Sequence, residues 1–239
     1  MLTRILEPEV MDTVQEAEDY DAMDHSAVNR QFVADVLEQL SRLGRVNQNC
    51  YSVLDAGTGT AQIPIEFCRQ SAGAKITAID LAGEMLRLAK RNVDRAGLSE
   101  RIQLECVDSK KLPYDDATFD VVISNSIIHH IPKPKVVFAE LSRVVKPGGL
   151  LFIRDLLRPD DEATLSQLVE RYAGNENAHQ RQMFCDSLHA ALTVDEVCKI
   201  LNELGISEES VCQTTDRHWT LATQKAGRSG SEYNDSSDD

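Results

Sequence analysis

VLDAGTGTAQIPI, residues 53–65, is the stretch of sequence that decides the fold. An apolar run ends there in the carboxylate of Asp55, and Gly57 and Gly59 follow two residues apart. Glycine at 57 permits a positive φ, and glycine at 59 lets a ligand approach the backbone closely. The stretch therefore predicts a strand, a sharp turn and a helix whose N-terminal N–H groups converge on a bound ligand.

This glycine pair is a weak signal when it stands alone. Gln62 occupies the position at which the dinucleotide fingerprint G-x-G-x-x-G needs its third glycine. An ordinary strand-to-helix turn without a ligand is the alternative interpretation.

The net charge of the chain narrows the choice of partners. The 239 residues include 39 acidic and 25 basic side chains, which gives a formal net charge of −14. Nucleic acids and anionic membrane surfaces attract basic patches, and the sequence has no basic run. We therefore expect no nucleic acid and no membrane as a partner.

Length and composition suit one α/β domain with modest additions. The chain is 42% hydrophobic and 27% charged, which allows a sizeable core. The N-terminus lacks the apolar run of a signal peptide, so we expect a cytoplasmic protein. The six cysteines are scattered without a C-x-x-C pair, which predicts reduced, mostly buried thiols and no metal site.

Hydrophobic periodicity predicts strands that alternate with helices. Strands are expected at 51–55, 75–80, 101–107, 119–124 and 150–153, and helices at 26–43, 63–71, 83–96, 133–145 and 193–204. Such alternation predicts an open parallel sheet. The last two strands, 210–215 and 219–224, are joined by too few residues for a parallel crossover, so this pair is expected to be antiparallel.

Three successive predicted strands end in a carboxylate: Asp55, Asp80 and Asp108. Ligands of open parallel sheets bind beyond the carboxyl ends of the strands, where Asp80 suits ribose hydroxyls and Asp108 an exocyclic amine. Asp55 suits an ammonium better than a phosphate, because the glycine loop has no basic residue to offset a second negative charge. The three carboxylates predict a nucleoside ligand with a cationic, amino-acid-like arm. The alternative is that Asp80 and Asp108 only cap helices.

Four segments in this order resemble the class I S-adenosylmethionine-dependent methyltransferases: VLDAGTGTA, ITAIDLAGEMLRLAKRN, VDSKKLPYDDATFDVVISNSIIHHIP and LSRVVKPGGLLFIRD. Within that class they are most similar to the small-molecule group that includes the ubiquinone and menaquinone biosynthesis enzymes. The resemblance covers residues 50–155. It implies an α/β, Rossmann-like sheet of seven mostly parallel strands in the order 3-2-1-4-5-7-6, with helices on both faces. It also implies S-adenosyl-L-methionine as cofactor and a small-molecule methyl acceptor.

The resemblance also implies which residues meet the cofactor. They are Tyr20, Asp55, Gly57, Thr58, Gly59, Asp80, Leu81, Met85, Asp108, Ser109 and Asn125. The glycine turn would line the methionine arm, the second-strand carboxylate would hold the ribose, and the third-strand pair would meet the adenine edge.

Candidate residues on the acceptor side follow the fourth and fifth strands. His129 and His130 could supply a general base, because the pKa of histidine lies near neutrality. Asp155 is the third candidate. Plain packing or loop capping is the alternative role for the histidines, and helix capping is the alternative for the carboxylate.

The same resemblance implies a division of the chain. We expect a helical lid at 1–44, a methyltransferase domain at 45–225 and a disordered tail at 226–239. An insertion on the substrate side is expected at 160–192. Its segment NENAHQR, residues 175–181, indicates polar recognition of a small substrate rather than of a quinone, although a solvated helix face explains most of it equally well.

Two other functions stay open at this point. An NAD-dependent oxidoreductase can use a similar sheet, but the missing third glycine and Asp55 count against it. A cofactor-binding protein without turnover would carry the same residues. The segment SNSI, residues 124–127, differs from the N/D-P-P-Y/F segment of DNA-methylating relatives, which argues against base methylation. A monomer or a homodimer fits the sequence.

Overall fold

A computed structural model describes residues 2–8, 10, 12–44 and 50–227. Its strands are β1 (Tyr51–Ala56), β2 (Ala74–Asp80), β3 (Ile102–Cys106), β4 (Phe119–Asn125), β5 (Val145–Leu156), β6 (Val211–Thr215) and β7 (His218–Gln224). They form one sheet in the order β3-β2-β1-β4-β5-β7-β6. Strands β1 to β5 are parallel, and β7 is antiparallel to both β5 and β6. The predicted fold class and strand order are confirmed.

Eight α-helices connect and flank these strands. They are α1 (Val14–Ala22), α2 (Ser26–Arg42), α3 (Gln62–Gln70), α4 (Gly83–Ala96), α5 (Pro134–Val144), α6 (Glu162–Ala173), α7 (Ala178–Ala190) and α8 (Val194–Glu203) in the described part of the chain. The sequence predicted α2, α3, α4, α5 and α8 to within two residues at each end.

The sheet separates two hydrophobic cores because neighbouring residues of a strand point to opposite faces. Val53 of β1 packs with α2, α3 and α4, whereas the next residue, Leu54, packs with α5 and α8. The first core holds an edge-to-face pair of Phe32 and Phe152, whose ring centroids are 5.3 Å apart. The second core holds the fully buried Trp219. Helices on both faces therefore fix the sheet as a rigid platform.

Helix α1 and the start of β5 differ from the sequence prediction. Thr13 and Glu16 form a capping box that begins α1, and Ala17 buries against α4. Pro147, Gly148 and Gly149 are residue types that commonly form turns, and they precede the strand predicted at 150–153. In the structure they are part of β5, because Gly148 N donates to Lys225 O and Lys225 N donates to Gly149 O. Pairing with the distant β7 strand overrides the local turn signal.

The segment 160–192 forms α6 and α7, which pack together on the side of β5. The proposed boundaries of lid, domain and insertion stay predictions. Most of the tail, residues 228–239, lies outside the described residues. Within the described ranges, no helix has both the length and the apolar character needed to cross a bilayer.

Candidate functional site

A cavity opens beyond the carboxyl ends of β1, β2 and β4. Its volume, including the open mouth, is about 790 Å³. Ten predicted site residues line it: Tyr20, Gly57, Gly59, Asp80, Leu81, Met85, Asp108, Ser109, Asn125 and His130. Four others lie outside this lining: Asp55, Thr58, His129 and Asp155.

The glycine turn packs closely against the loop after β4. Gly57 has φ +76°, and a Cβ atom there would lie 2.1 Å from Ile127 Cγ2. The N–H groups of Gly57 and Thr58 donate to Ile79 O at 2.9 and 2.8 Å, and the Gly59 N–H donates to Asp80 Oδ2 at 2.7 Å. The end of β2 thus accepts all three of these N–H groups, so they are not available to a ligand. The turn offers the cavity a bare backbone surface instead.

The Asp80 carboxylate is held at the tip of β2 by two backbone groups. Oδ2 accepts from Gly59 N, and Oδ1 accepts from Ala82 N at 2.9 Å. Each oxygen keeps a further lone pair, since a carboxylate oxygen accepts two hydrogen bonds. Burial raises the pKa of Asp80, and the backbone hydrogen bonds oppose the rise. The Asp80 carboxylate can therefore cap backbone N–H groups and bind a ligand at the same time.

Asp108 and Ser109 form the cavity wall beyond β3. The Lys110 N–H donates to Asp108 Oδ1 at 2.9 Å, which fixes the carboxylate in a local turn. The Lys110 ammonium lies 3.4 Å from Asp108 Oδ2. Both residues line the cavity, as predicted for a polar edge that could receive an exocyclic amine.

Tyr20 of α1 closes the cavity on the side of the glycine turn. A Cβ at Gly59 would lie 3.6 Å from Tyr20 Cε1. Burial, with the nearby carboxylates of Asp80 and Asp55, raises the pKa of the Tyr20 phenol to about 12. The phenol therefore stays protonated and can donate a hydrogen bond into the cavity.

Asp55 lies beneath the cavity and is 1% exposed. Its Oδ2 atom has no hydrogen-bond partner among the described residues, and the same holds for the buried Thr58 Oγ1. Burial raises the pKa of Asp55 to about 7, and the neighbouring charge of Asp80 adds to the rise. The resemblance implies that Thr58 lines a methionine arm and that Asp55 supports it. Both side chains are buried next to the turn, where the Asp55 carboxylate can act on a ligand through its charge.

His130 lines the cavity, whereas His129 lies in the protein interior. His129 is 3% exposed, and its Nδ1 lies 2.5 Å from Asp155 Oδ1. Burial disfavours the His129 imidazolium, but the Asp155 carboxylate outweighs it and raises the pKa of His129. Burial and the neighbouring His129 lower the pKa of His130 to about 3. His130 is therefore neutral and a weak base. This low basicity does not favour the predicted general-base role, although the residue lines the cavity.

Asp155 links β5 to the loop after β4. Its carboxylate accepts from Ile128 N at 2.5 Å and from Leu156 N at 2.6 Å. Neither the buried Asp155 nor His129 is among the residues that line the cavity. Helix capping of the turn at Ile128–His130 accounts for the carboxylate, as one alternative anticipated.

Sequence reasoning missed several apolar walls of the cavity: Val10, Ala82, Val107, Ile127 and Ile131. Four of them lie within two residues of a strand tip or a predicted site residue, so strand-end position was a signal for these, whereas nothing in the sequence marked Val10. The polar segment of the insertion contacts α1 rather than the cavity. His179 Nδ1 lies 3.2 Å from Asp19 Oδ2, and Gln180 Nε2 donates to Asp19 O at 3.3 Å.

The chain is similar in sequence to known methyltransferases. Residues 54–153 match the family profile described as "Methyltransferase domain". The chain is 30% identical to 27-O-demethylrifamycin SV methyltransferase of Amycolatopsis mediterranei over 72% of this chain and 61% of that protein. It is 31% identical to the ubiquinone/menaquinone biosynthesis C-methyltransferase UbiE of Geotalea daltonii over 45% of this chain and 46% of that one.

A solved structure resembles the whole fold. The plantazolicin methyltransferase BpumL in complex with SAH has a TM-score of 0.67 and 15% identity, with coverage of 88% of this chain and 90% of that one. At this identity the likeness shows the fold alone. The chain spans about half the length of the curated relatives it matches, from 32% to 63% among the first of them.

Proposed function

We propose that this chain, whose residues 54–153 belong to the methyltransferase-domain family, transfers the methyl group of S-adenosylmethionine to a small molecule. Membership of that family confirms the resemblance of the four sequence segments. The observation that carries the proposal is the charge of the cavity. Asp80 and Asp108 flank it, Asp55 lies beneath it, and no lysine or arginine stands among the described residues that line it.

This charge distribution favours a cationic adenosyl compound over an anionic dinucleotide. A pyrophosphate in the glycine turn would face the Asp80 carboxylate with no lysine or arginine among the described lining residues, and the N–H groups of the turn are already occupied. An ammonium and a sulfonium are stabilised by the same carboxylates. The NAD-dependent alternative is therefore disfavoured by both charge and hydrogen bonding.

Different residues of the cavity would contact different parts of the cofactor. Asp80 would accept from the ribose hydroxyls, Asp108 and Ser109 would meet the adenine amine, and Tyr20 would cover the arm above Gly59. When bound, the cofactor supplies a methyl group already activated by a positive sulfur. The protein then has to hold an acceptor in line with that methyl group and exclude water, and no protein nucleophile is needed.

The acceptor would enter beside the loop after β4. Asn125, Ile127 and His130 line the cavity there and would orient it. We also propose the lid at 1–44, the domain at 45–225 and the substrate-side insertion at 160–192, since α1 covers the glycine turn and α7 contacts α1. A cytoplasmic monomer or homodimer remains part of this proposal.

Thermal-shift measurements with S-adenosylhomocysteine and NADH test the cofactor. A ligand at about 100 times its Kd raises the free energy of unfolding by about 2.7 kcal/mol. We expect S-adenosylhomocysteine to raise the melting temperature and NADH to leave it unchanged. Stabilisation by NADH alone would contradict the proposal and favour an NAD-dependent oxidoreductase.

A labelled-methyl assay over a metabolite extract tests turnover. We expect label to move from S-adenosylmethionine to at least one small molecule. Tight cofactor binding with no labelled product would favour a cofactor-binding protein without turnover.

Asp80→Asn is expected to weaken S-adenosylhomocysteine binding by about 1.5 to 3 kcal/mol, the value of a hydrogen bond to a charged acceptor. The amide replaces one acceptor oxygen by a donor, so it loses a ribose contact and also meets the Gly59 N–H. Titration calorimetry measures the change, with the exposed Asp115→Asn as matched control. An unchanged dissociation constant would show that Asp80 does not bind the ribose.

A further inference from the structure

Three ligand-bearing side chains from distant parts of the sequence meet beside the cavity. Glu7 Oε1 lies 3.5 Å from His129 Nε2 and 3.2 Å from His130 Nδ1. Each of the three residues offers one ligand atom that lies within 4.8 Å of the other two. Glu7 Oε1 and His130 Nδ1 are buried, and neither has a hydrogen-bond partner among the described residues. The cluster thus gathers a carboxylate oxygen and two imidazole nitrogens whose lone pairs are largely unused.

These separations match the edges of a metal coordination sphere. Zinc binds imidazole nitrogen and carboxylate oxygen at about 2.0 to 2.1 Å, and tetrahedral ligands at that bond length are about 3.3 Å apart. The two distances from Glu7 Oε1 lie on either side of this value. Two of the three ligand–ligand distances therefore suit a single ion, and the third, between the two histidines, is at most 4.8 Å and would shorten when the ion binds.

A second carboxylate orients one of the imidazoles. Asp155 Oδ1 lies 2.5 Å from His129 Nδ1, so the nitrogen that remains for a ligand is Nε2, which faces Glu7. Metal-binding histidines usually donate their other N–H to a carboxylate or carbonyl, which fixes the ring and strengthens the ligand. The buried Asp155, which also holds the Ile128 N–H, supplies that support.

The N-terminal segment is anchored so that Glu7 reaches the histidines. Arg4 Nη2 donates to His129 O at 3.0 Å and to Ile131 O at 3.1 Å. Ser187 Oγ donates to Glu7 Oε2 at 3.3 Å, which leaves Oε1 for the cluster. Although both ligand atoms are buried, the side chains of Glu7 and His130 are 12% and 14% exposed, so the cluster lies close to the protein surface.

We propose that Glu7, His129 and His130 bind one divalent first-row transition metal ion, for which Zn²⁺ is the probe. Two imidazoles with one carboxylate suit zinc and iron(II) better than magnesium or calcium. Three protein ligands leave a coordination position for a water or for an oxygen of the methyl acceptor. Use of that position by an acceptor rests on the proposed function, whereas the metal site itself does not.

Metal binding is measured on the full chain without cofactor or acceptor, so its failure leaves the proposed methyltransferase activity standing. After chelator treatment, Zn²⁺ is titrated in competition with a chromogenic chelator, and bound metal is counted by mass spectrometry. We expect one equivalent per chain. Glu7→Gln and His130→Gln should each lower the affinity by more than about 100-fold, since a lost ligand costs at least as much as a lost supporting group.

His179→Gln is the matched control, because that histidine is half-exposed and outside the cluster. Circular dichroism checks that each variant is folded. Co²⁺ spectra distinguish this site from the exposed thiols of Cys50, Cys106 and Cys212, since thiolate ligation gives a sulfur-to-cobalt charge-transfer band. Absence of a bound equivalent, a thiolate band, or equal affinity in both ligand variants and the wild type would overturn the proposal. In that case a protonated imidazole paired with Glu7 accounts for the cluster.

Discussion

Gly57→Ala is expected to lower the free energy of unfolding by about 2 to 5 kcal/mol and to abolish cofactor binding. Two costs add up at this position. The left-handed conformation, φ +76°, costs an alanine about 1 to 2 kcal/mol. The new methyl group would overlap Ile127 Cγ2 at 2.1 Å, and overpacking costs typically about 1 to 3 kcal/mol. Rotating the Ile127 side chain does not remove the conflict, because its Cβ is itself 3.0 Å away.

Gly97→Ala separates the two costs of the Gly57 substitution. Gly97 ends α4 with φ +68°, and no heavy atom of the described residues lies within 4 Å of the Cβ it would gain. Urea unfolding should therefore show a loss of only about 1 to 2 kcal/mol for this control. The double variant Gly57→Ala/Ile127→Ala should regain part of the overlap cost. Equal losses at positions 57 and 97 would contradict the close packing of the turn on the loop after β4.

Asp55→Asn is expected to stabilise the cofactor-free protein at neutral pH by about 2 to 4 kcal/mol. The pKa of Asp55 is about 7 in the folded protein and about 4 in the unfolded chain. Below pH 4 the carboxyl is protonated in both the folded and the unfolded protein, so its burial does not lower the free energy of unfolding through ionisation. Between pH 4 and 7 only the unfolded chain ionises, so the free energy of unfolding falls as pH rises, and the loss is complete above pH 7. Asparagine removes this ionisation.

Urea unfolding from pH 4 to pH 8 measures the effect. The difference between Asp55→Asn and the wild type should grow from near zero at pH 4 to its full value above pH 7. The exposed Asp115→Asn serves as control and should follow the wild type. Parallel curves for the wild type and Asp55→Asn would show that the carboxyl is not desolvated. S-adenosylmethionine should also bind Asp55→Asn more weakly, because its cationic arm loses a neighbouring negative charge.

The sheet and ten of the cavity residues could be predicted because their signals are local. Strand tips of a parallel sheet share one edge, so carboxylates such as Asp80 and Asp108 that end successive strands must lie near one another. Helix α4 was predicted at its observed bounds because its apolar spacing and the glycine that ends it lie in one short segment. Helix α1 escaped prediction although Thr13 and Glu16 form a capping box, since its short apolar face is weak.

By itself, the sequence determined the α/β class, the family and the acidic side chains that ring the cavity, because periodicity and strand-end position are properties of neighbouring residues. Only the tertiary structure decided how those groups are used. The N–H groups of the glycine turn are taken by the end of β2, and Asp55 is buried rather than exposed to a ligand. Glu7 meets His129 and His130 although the sequence predicted no metal site. Such contacts join residues that are far apart in the chain, and only packing of the N-terminal segment against α7 and the loop after β4 brings them together.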